Sequence, residues 1–207
     1  MRTGFIQKWH NKELILKPTI KKGMIQDILE KSKSENKLIA VQLYGGDDGF
    51  WCGYVQSYSD EIVIIQHFTK YGKSDGVIAE KIENIESIDF EDDYSKSMEY
   101  IIEHAHEIDF ENEITVDIQR PDQWQKEMLE ANIGSKERVV RVQLNHGNQY
   151  SGFVDWCDDE NLILGQIDLE GRSGGKTICK IDDITAIRIN DIESRKRLLL
   201  YNWRKSN

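Results

Sequence analysis

Apolar and β-branched residues gather along the chain in ten short runs, in two groups of five. The first group covers residues 37–44, 51–58, 61–70, 77–81 and 85–90, and the second covers 138–145, 149–156, 160–169, 176–181 and 184–190. Gly, Asp and Asn separate the runs, a pattern that predicts short β-strands joined by tight turns. Ahead of each group lies a short alternating stretch, 13–17 or 113–119, which predicts a further strand, and then a helical stretch. The second of these helices opens with Pro121 at a first helical position, places Trp124, Met128 and Leu129 on one side, and stops near Gly134. After each group, apolar residues return at helical spacing: Tyr94, Met98, Ile101, Ile102 and Ala105 in the first case, Ile192, Leu199 and Trp203 in the second. Stripes of this kind face a core.

The two groups are copies of one another. Shifted by 99 positions, residues 53–101 match 152–200 without a gap and with 14 identities in 49 positions, among them Gly53/Gly152, Gly72/Gly171, Gly76/Gly175, Lys81/Lys180 and Asp92/Asp191. Average residue usage would give roughly 3. Upstream the offset becomes 101 over Val41-Gln42-Leu43 and Val142-Gln143-Leu144, then 100 over the helices. The expected organisation is a tandem duplication, with a first repeat over residues 1–108 and a second over 109–207. Five short strands in about 50 residues suit a closed barrel, because closure removes the exposed edges of a small sheet.

Copy two carries Val142-Gln143-Leu144-Asn145-His146-Gly147, then Gly152-Phe153-Val154 and Asp158, a spacing that resembles the first motif of the Sm-like family. Copy one keeps Leu43, Gly46 and Gly53 but lengthens the hairpin around Asp47-Asp48-Gly49 and adds Phe50 and Trp51. The second Gly of the motif would let a bent strand cross the barrel with no side chain in the way. The resemblance spans about 70 residues of each repeat. It implies an α+β, predominantly β fold of two tandem Sm-like five-stranded barrels, each flanked by an N-terminal strand and helix and a C-terminal helix. Members of that family commonly bind RNA as rings. Their second motif, however, has an Ile-Arg-Gly stretch at the RNA pocket, where this chain has Lys81-Ile82 and Lys180-Ile181. The fold therefore carries over and the RNA site does not.

Composition narrows the function. No apolar run exceeds four residues, which leaves neither a membrane span nor a secretory core and makes the cytoplasm the expected location. The three cysteines, Cys52, Cys157 and Cys179, lack metal-site spacing and are expected to be reduced thiols. Net charge is −10, but residues 86–117 hold twelve acids against Lys96 alone, while the tail from Arg195 onward holds five bases and no acid. Such a balance disfavours general attraction to nucleic acid.

Motifs for chemistry are sparse. Glu170 to Thr177 is similar to a phosphate-binding loop, yet Glu170 stands where that motif needs Gly and a β-run follows instead of a helix, so the segment reads as a hairpin. His104 and His106 fall on nearly opposite sides of a predicted helix and cannot share a metal unaided. No cofactor or metal site and no catalytic triad is expected. Candidate partner-binding residues are the aromatics Phe50, Trp51, Tyr150 and Trp156 and the lysines Lys81 and Lys180. The expected function is a non-enzymatic binding module that recognises a protein through barrel loops and edges, with an acidic inhibitor or immunity-type protein as one version. An RNA-binding Sm-like protein and a small-ligand or nucleotide binder in the cleft between repeats are the alternatives. The expected particle is a monomer or homodimer without membrane attachment.

Overall fold

A computed structural model describes residues 22–45, 49–109 and 114–207. The chain is α+β and mostly β. Helix α1 (Lys22–Glu35) leads into strands β1 (Ile39–Leu43), β2 (Phe50–Tyr58), β3 (Ile62–Phe68), β4 (Ser74–Lys81) and β5 (Ile85–Phe90), followed by α2 (Asp93–Glu103) and α3 (Ala105–Asp109). The second half repeats the plan with α4 (Trp124–Glu130), β6 (Val140–Leu144), β7 (Gln149–Cys157), β8 (Asn161–Ile167), β9 (Ser173–Lys180), β10 (Ile184–Ile189) and α5 (Ile192–Ser206). All ladders are antiparallel, and the two sheets have corresponding orders, β4-β3-β2-β1-β5 and β9-β8-β7-β6-β10.

Registers correspond as well. Gly53 lies opposite Ile39 and Gly152 opposite Val140. A Cβ on either glycine would sit 1.9 Å from a carbonyl oxygen of the next strand, Gln66 or Gly165. Close backbone approach, inferred from the motif spacing, is thus what both glycines permit. Successive strand residues alternate between the two faces of each sheet. Inward residues Ile39, Val41, Val55, Val63 and Ile65 meet Ile25 and Leu29 of α1 in one core, and Val140, Val142, Val154, Leu162 and Leu164 meet Leu129 of α4 in another. On the other face Val139, Phe153 and Ile167 pack on α5.

Three expectations need correction. The sheets are not closed barrels: in each sheet order the strands at the two ends, β4 and β5 or β9 and β10, do not pair. Only a three-residue 3-10 turn (Ile82–Asn84 or Ile181–Asp183) joins them, and it redirects the chain so that β5 and β10 run back along β1 and β6. The strand expected at 113–119 is absent over the described residues 114–119, and at its end the backbone N–H groups of Gln119 and Arg120 donate to the Glu127 carboxylate at 2.7 and 3.1 Å, which ties the segment to α4 instead of to a sheet. The helix expected through His104 breaks there, and the His104 and His106 rings stack at 6.5 Å rather than facing apart. The strand expected at 13–17 and the Gly46, Asp47 and Asp48 positions lie outside the described residues.

The two halves share a third core. Leu38, Cys52, Met98, Ile101 and Ile108 of the first half enclose Leu199 and Leu200 of α5. Polar contacts surround it in a reciprocal pattern. Asp93, in the first turn of α2, pairs with Arg172 of the β8–β9 hairpin, and Glu193, in the first turn of α5, accepts from Lys70 (3.1 Å) and Tyr71 (2.9 Å) of the β3–β4 hairpin. Each helix thereby holds the hairpin of the other half. Each hairpin also packs on its own helix, since a Cβ on Gly72 would lie 2.6 Å from the Ile101 carbonyl oxygen and one on Gly171 2.5 Å from Leu200.

Candidate binding surfaces

The six residues singled out by sequence do not converge. Phe50 opens β2, is 37% exposed, and meets Tyr94 edge-on at 5.3 Å. Trp51 lies opposite Val41 and packs on the first core, its ring edge-on to His67 at 5.4 Å and its indole nitrogen buried without a partner. Tyr150 takes the same register opposite Val142 and packs on the second core. Neither is a free surface aromatic. The structure seats both rings where pairing side chains face inward, which residue type alone could not reveal.

Lys81 and Lys180 end β4 and β9, opposite Ile62 and Asn161, and both are exposed. Because β2 and β4 run in the same direction across β3, Lys81 sits at the far end of the sheet from Phe50 and Trp51. Lys81 pairs with Glu83 at 3.2 Å, whereas Lys180 makes no ion pair among the described residues.

Trp156 leads to a more coherent surface. In the ladder it lies opposite Ile163, which lies opposite Ile178, so the three side chains share a face and run across β7 and β8 to the edge strand β9. Trp156 is 44% and Ile178 67% exposed. In the first half the corresponding row is Ser57, Ile64 and Ala79. Strand β9 is eight residues long and, among the described residues, bonded on one side only. Ile178 was missed from sequence because it looks like any β-branched strand residue; its exposure depends on register with β8.

A second feature lies at the other end of that sheet. A cavity of about 460 Å³ opens between the start of β7, the β8–β9 hairpin and α5, lined by Gln149, Ser151, Gln166, Asp168, Glu170 and Arg197 among others. Arg197 is 9% exposed; its Nη1 donates to the Ile167 carbonyl at 2.9 Å, while its Nε is buried without a partner. Burial lowers the pKa of Arg197 from the ordinary guanidinium value.

The thiols carry no sign of activation. All three cysteines are unpaired, and burial pushes Cys52 up to about 12 and raises Cys157 and Cys179. Among the described residues no group of three His, Cys, Asp or Glu side chains could hold a metal ion, and no helix is long and apolar enough to cross a membrane.

Part of the acidic segment is engaged internally. Asp92 caps α2 by accepting from Ser95 N–H at 2.7 Å, Glu91 pairs with Lys31 (2.6 Å), Asp109 with Lys73 (2.8 Å), and Glu99 accepts from Leu38 N–H (3.1 Å). Asp93 receives Arg204 from the basic tail. One pair, Asp93 with Arg204, thus joins the acidic middle to the basic tail. Comparisons of the chain with protein-family models, curated proteins and solved structures find no match.

Proposed function

We propose that the chain is a non-enzymatic binding module that recognises a protein partner through the free edge of β9 and the apolar row leading to it. The observation that carries this reading is the row Trp156, Ile163, Ile178, which ends on a strand whose outer backbone groups have no ladder partner among the described residues. Natural edge strands are normally short, charged or covered, because an exposed apolar edge pairs with other chains. A partner adding an extended segment to β9 would gain backbone hydrogen bonds and bury Ile178 and Trp156, while Lys180 favours an acidic residue near that end. The Sm-like relationship is kept as part of the proposal, supported by the helix before five strands and by the close-packed Gly53 and Gly152.

The test is affinity purification of the tagged full chain from its native cell, with protein and nucleic acid both analysed, alongside Ile178→Lys and Trp156→Ala. A protein captured by the parent chain and lost with both variants is the expected result. Capture of RNA that depends on Lys81 and Lys180, with no protein sensitive to Ile178→Lys, would replace this reading with an RNA-binding one.

A further inference from the structure

The cavity beside Arg197 differs between the two halves in a way that points to a ligand. By strand register and the 99-residue offset, Gln149, Ser151, Gln166 and Arg197 correspond to Phe50, Cys52, His67 and Met98. In the first half these positions are filled: Cys52 and Met98 are 3% and 1% exposed in one apolar cluster, Phe50 packs on Tyr94, and His67 packs on Trp51. In the second half all four are polar and the space is open. Gln166 replaces a residue, His67, that is already polar, but the exchange of Phe50, Cys52 and Met98 for Gln149, Ser151 and Arg197 places three new polar side chains on the walls of one cavity, where drift on a surface would scatter them.

The charges select the ligand. Arg197 is always protonated and largely withdrawn from water, yet makes one hydrogen bond and no ion pair among the described residues. Glu193, Asp168 and Asp191 act on it only at a distance and do not outweigh its burial, so a carboxylate offered directly to the guanidinium would relieve that cost. Asp168 and Glu170 of the β8–β9 hairpin also line the cavity. Asp168 Oδ1 accepts the N–H groups of Glu170 and Arg172 at 2.9 and 2.7 Å, which fixes the hairpin. Arg172, committed to Asp93, approaches the remaining oxygens of Asp168 and Glu170 only at 3.9 Å. Two rim carboxylates oppose a phosphate dianion, and Arg197 opposes a simple cation.

We propose that this cavity binds a small zwitterion of the amino-acid class, its carboxylate on Arg197, its ammonium toward Asp168 and Glu170, and its polar edges on Gln149, Ser151 and Gln166. The volume lies within the range of about 300–1,000 Å³ usual for small-molecule sites. The site is separate from the β9 row, and neither Ile178 nor Trp156 lines it.

The experiment titrates the isotope-labelled full chain with free glycine, alanine, leucine, glutamate, lysine and phenylalanine, and with acetate, methylammonium and inorganic phosphate, by NMR. At least one amino acid is expected to shift the Gln149, Ser151 and Glu170 amides and the Arg197 Nε–H at lower concentration than any of the three ions. Arg197→Met installs the residue found at the equivalent position of the first half, and Gln149→Phe fills the cavity with Arg197 intact. Each should weaken binding by roughly tenfold or more, as for the loss of a charge-assisted hydrogen bond or of the site itself. The proposal is overturned if no amino acid shifts these signals, if phosphate binds more tightly than every zwitterion, or if binding survives Gln149→Phe unchanged. That last variant decides the matter should Arg197→Met fail to fold.

Discussion

Asp93 and Arg204 join the two halves of the fold through a two-pronged ion pair, Nη1 to Oδ1 at 3.0 Å and Nη2 to Oδ2 at 2.7 Å. Arg204 also donates through Nε to the Glu170 carbonyl (2.6 Å) and through Nη2 to Ser97 (3.1 Å), so one guanidinium ties α2, α5 and the β8–β9 hairpin together. Forked pairing of this kind exceeds an ordinary surface pair in strength, although solvent at Asp93 screens part of it. Asp93→Asn is expected to cost about 0.5–1 kcal/mol in urea unfolding. In a double-mutant cycle with Arg204→Met the effects should be non-additive, and full additivity would show that the pair contributes nothing.

Acid should loosen the contacts between halves at Asp93 and Glu193, and the start of α5 at Asp191. Arg204, with Arg172, holds the Asp93 carboxyl below the usual carboxylate range against the effect of its partial burial. Burial acts to raise Asp191 and Glu193, but hydrogen bonds from Ser194 and the Arg141 ion pair outweigh it at Asp191, and Lys70 and Tyr71 outweigh it at Glu193. Each carboxyl is thus lower in the folded than in the unfolded chain. Their contribution is complete above the unfolded value of about 4 and disappears as pH falls through the folded values. Stability measured between about pH 6 and pH 3 should decline below pH 4, and Glu193→Gln should flatten that decline while lowering stability at pH 6. An unchanged acid limb would contradict this assignment.

The repeated glycines separate two kinds of constraint. Ala at Gly53 or Gly152 would drive a Cβ into backbone at 1.9 Å, and a loss on the order of 4 kcal/mol or more is expected. Gly76 and Gly175 have φ of +85° and +83° with nothing within 4 Å of an added Cβ. Ala there should cost only about 1–2 kcal/mol, from the left-handed backbone alone. Thermal unfolding of the four variants checks the ranking.

These same glycines show how far the sequence could be read. Gly72 and Gly171 fall in hairpin turns with positive φ, as the repeat pattern implies. Gly76 and Gly175 share the backbone conformation but lie inside β4 and β9, where the ladder shifts register opposite His67 and Gln166. A local signal gave the dihedral and not the bulge. Strand positions were legible because β-branched runs and turn residues are local. Closure was not, because the path of each 3-10 turn depends on packing beyond it. The inward placement of Trp51 and Tyr150 and the exposure of Ile178 depend on register with strands far along the chain. The cavity escaped notice for the same reason, although comparison of Phe50, Cys52, His67 and Met98 with their counterparts held the signal.

Oligomeric state follows from the edges. A closed ring built from this chain would need its free strands to pair in an unbroken circuit, with the same junction recurring at every step. Among the described residues the unpaired edges are β4, β5, β9 and β10, and they are not alike. β4 carries exposed Val77 where β9 has Lys176, and β9 carries exposed Ile178 where β4 has Ala79. A β4 edge and a β9 edge therefore cannot take the same neighbour with equal ease, and a ring that alternates them has two kinds of seam. The apolar β9 edge can instead satisfy itself against a second copy of β9 about a two-fold axis, or remain free for a different partner. The chain is expected to run as a monomer or a dimer of the 24.1 kDa subunit in size exclusion with light scattering. Ile178→Lys should shift any dimer to monomer, because two lysines would then face each other across the axis. A stable particle of three or more subunits at low micromolar concentration, unaffected by that substitution, would show that assembly uses other edges.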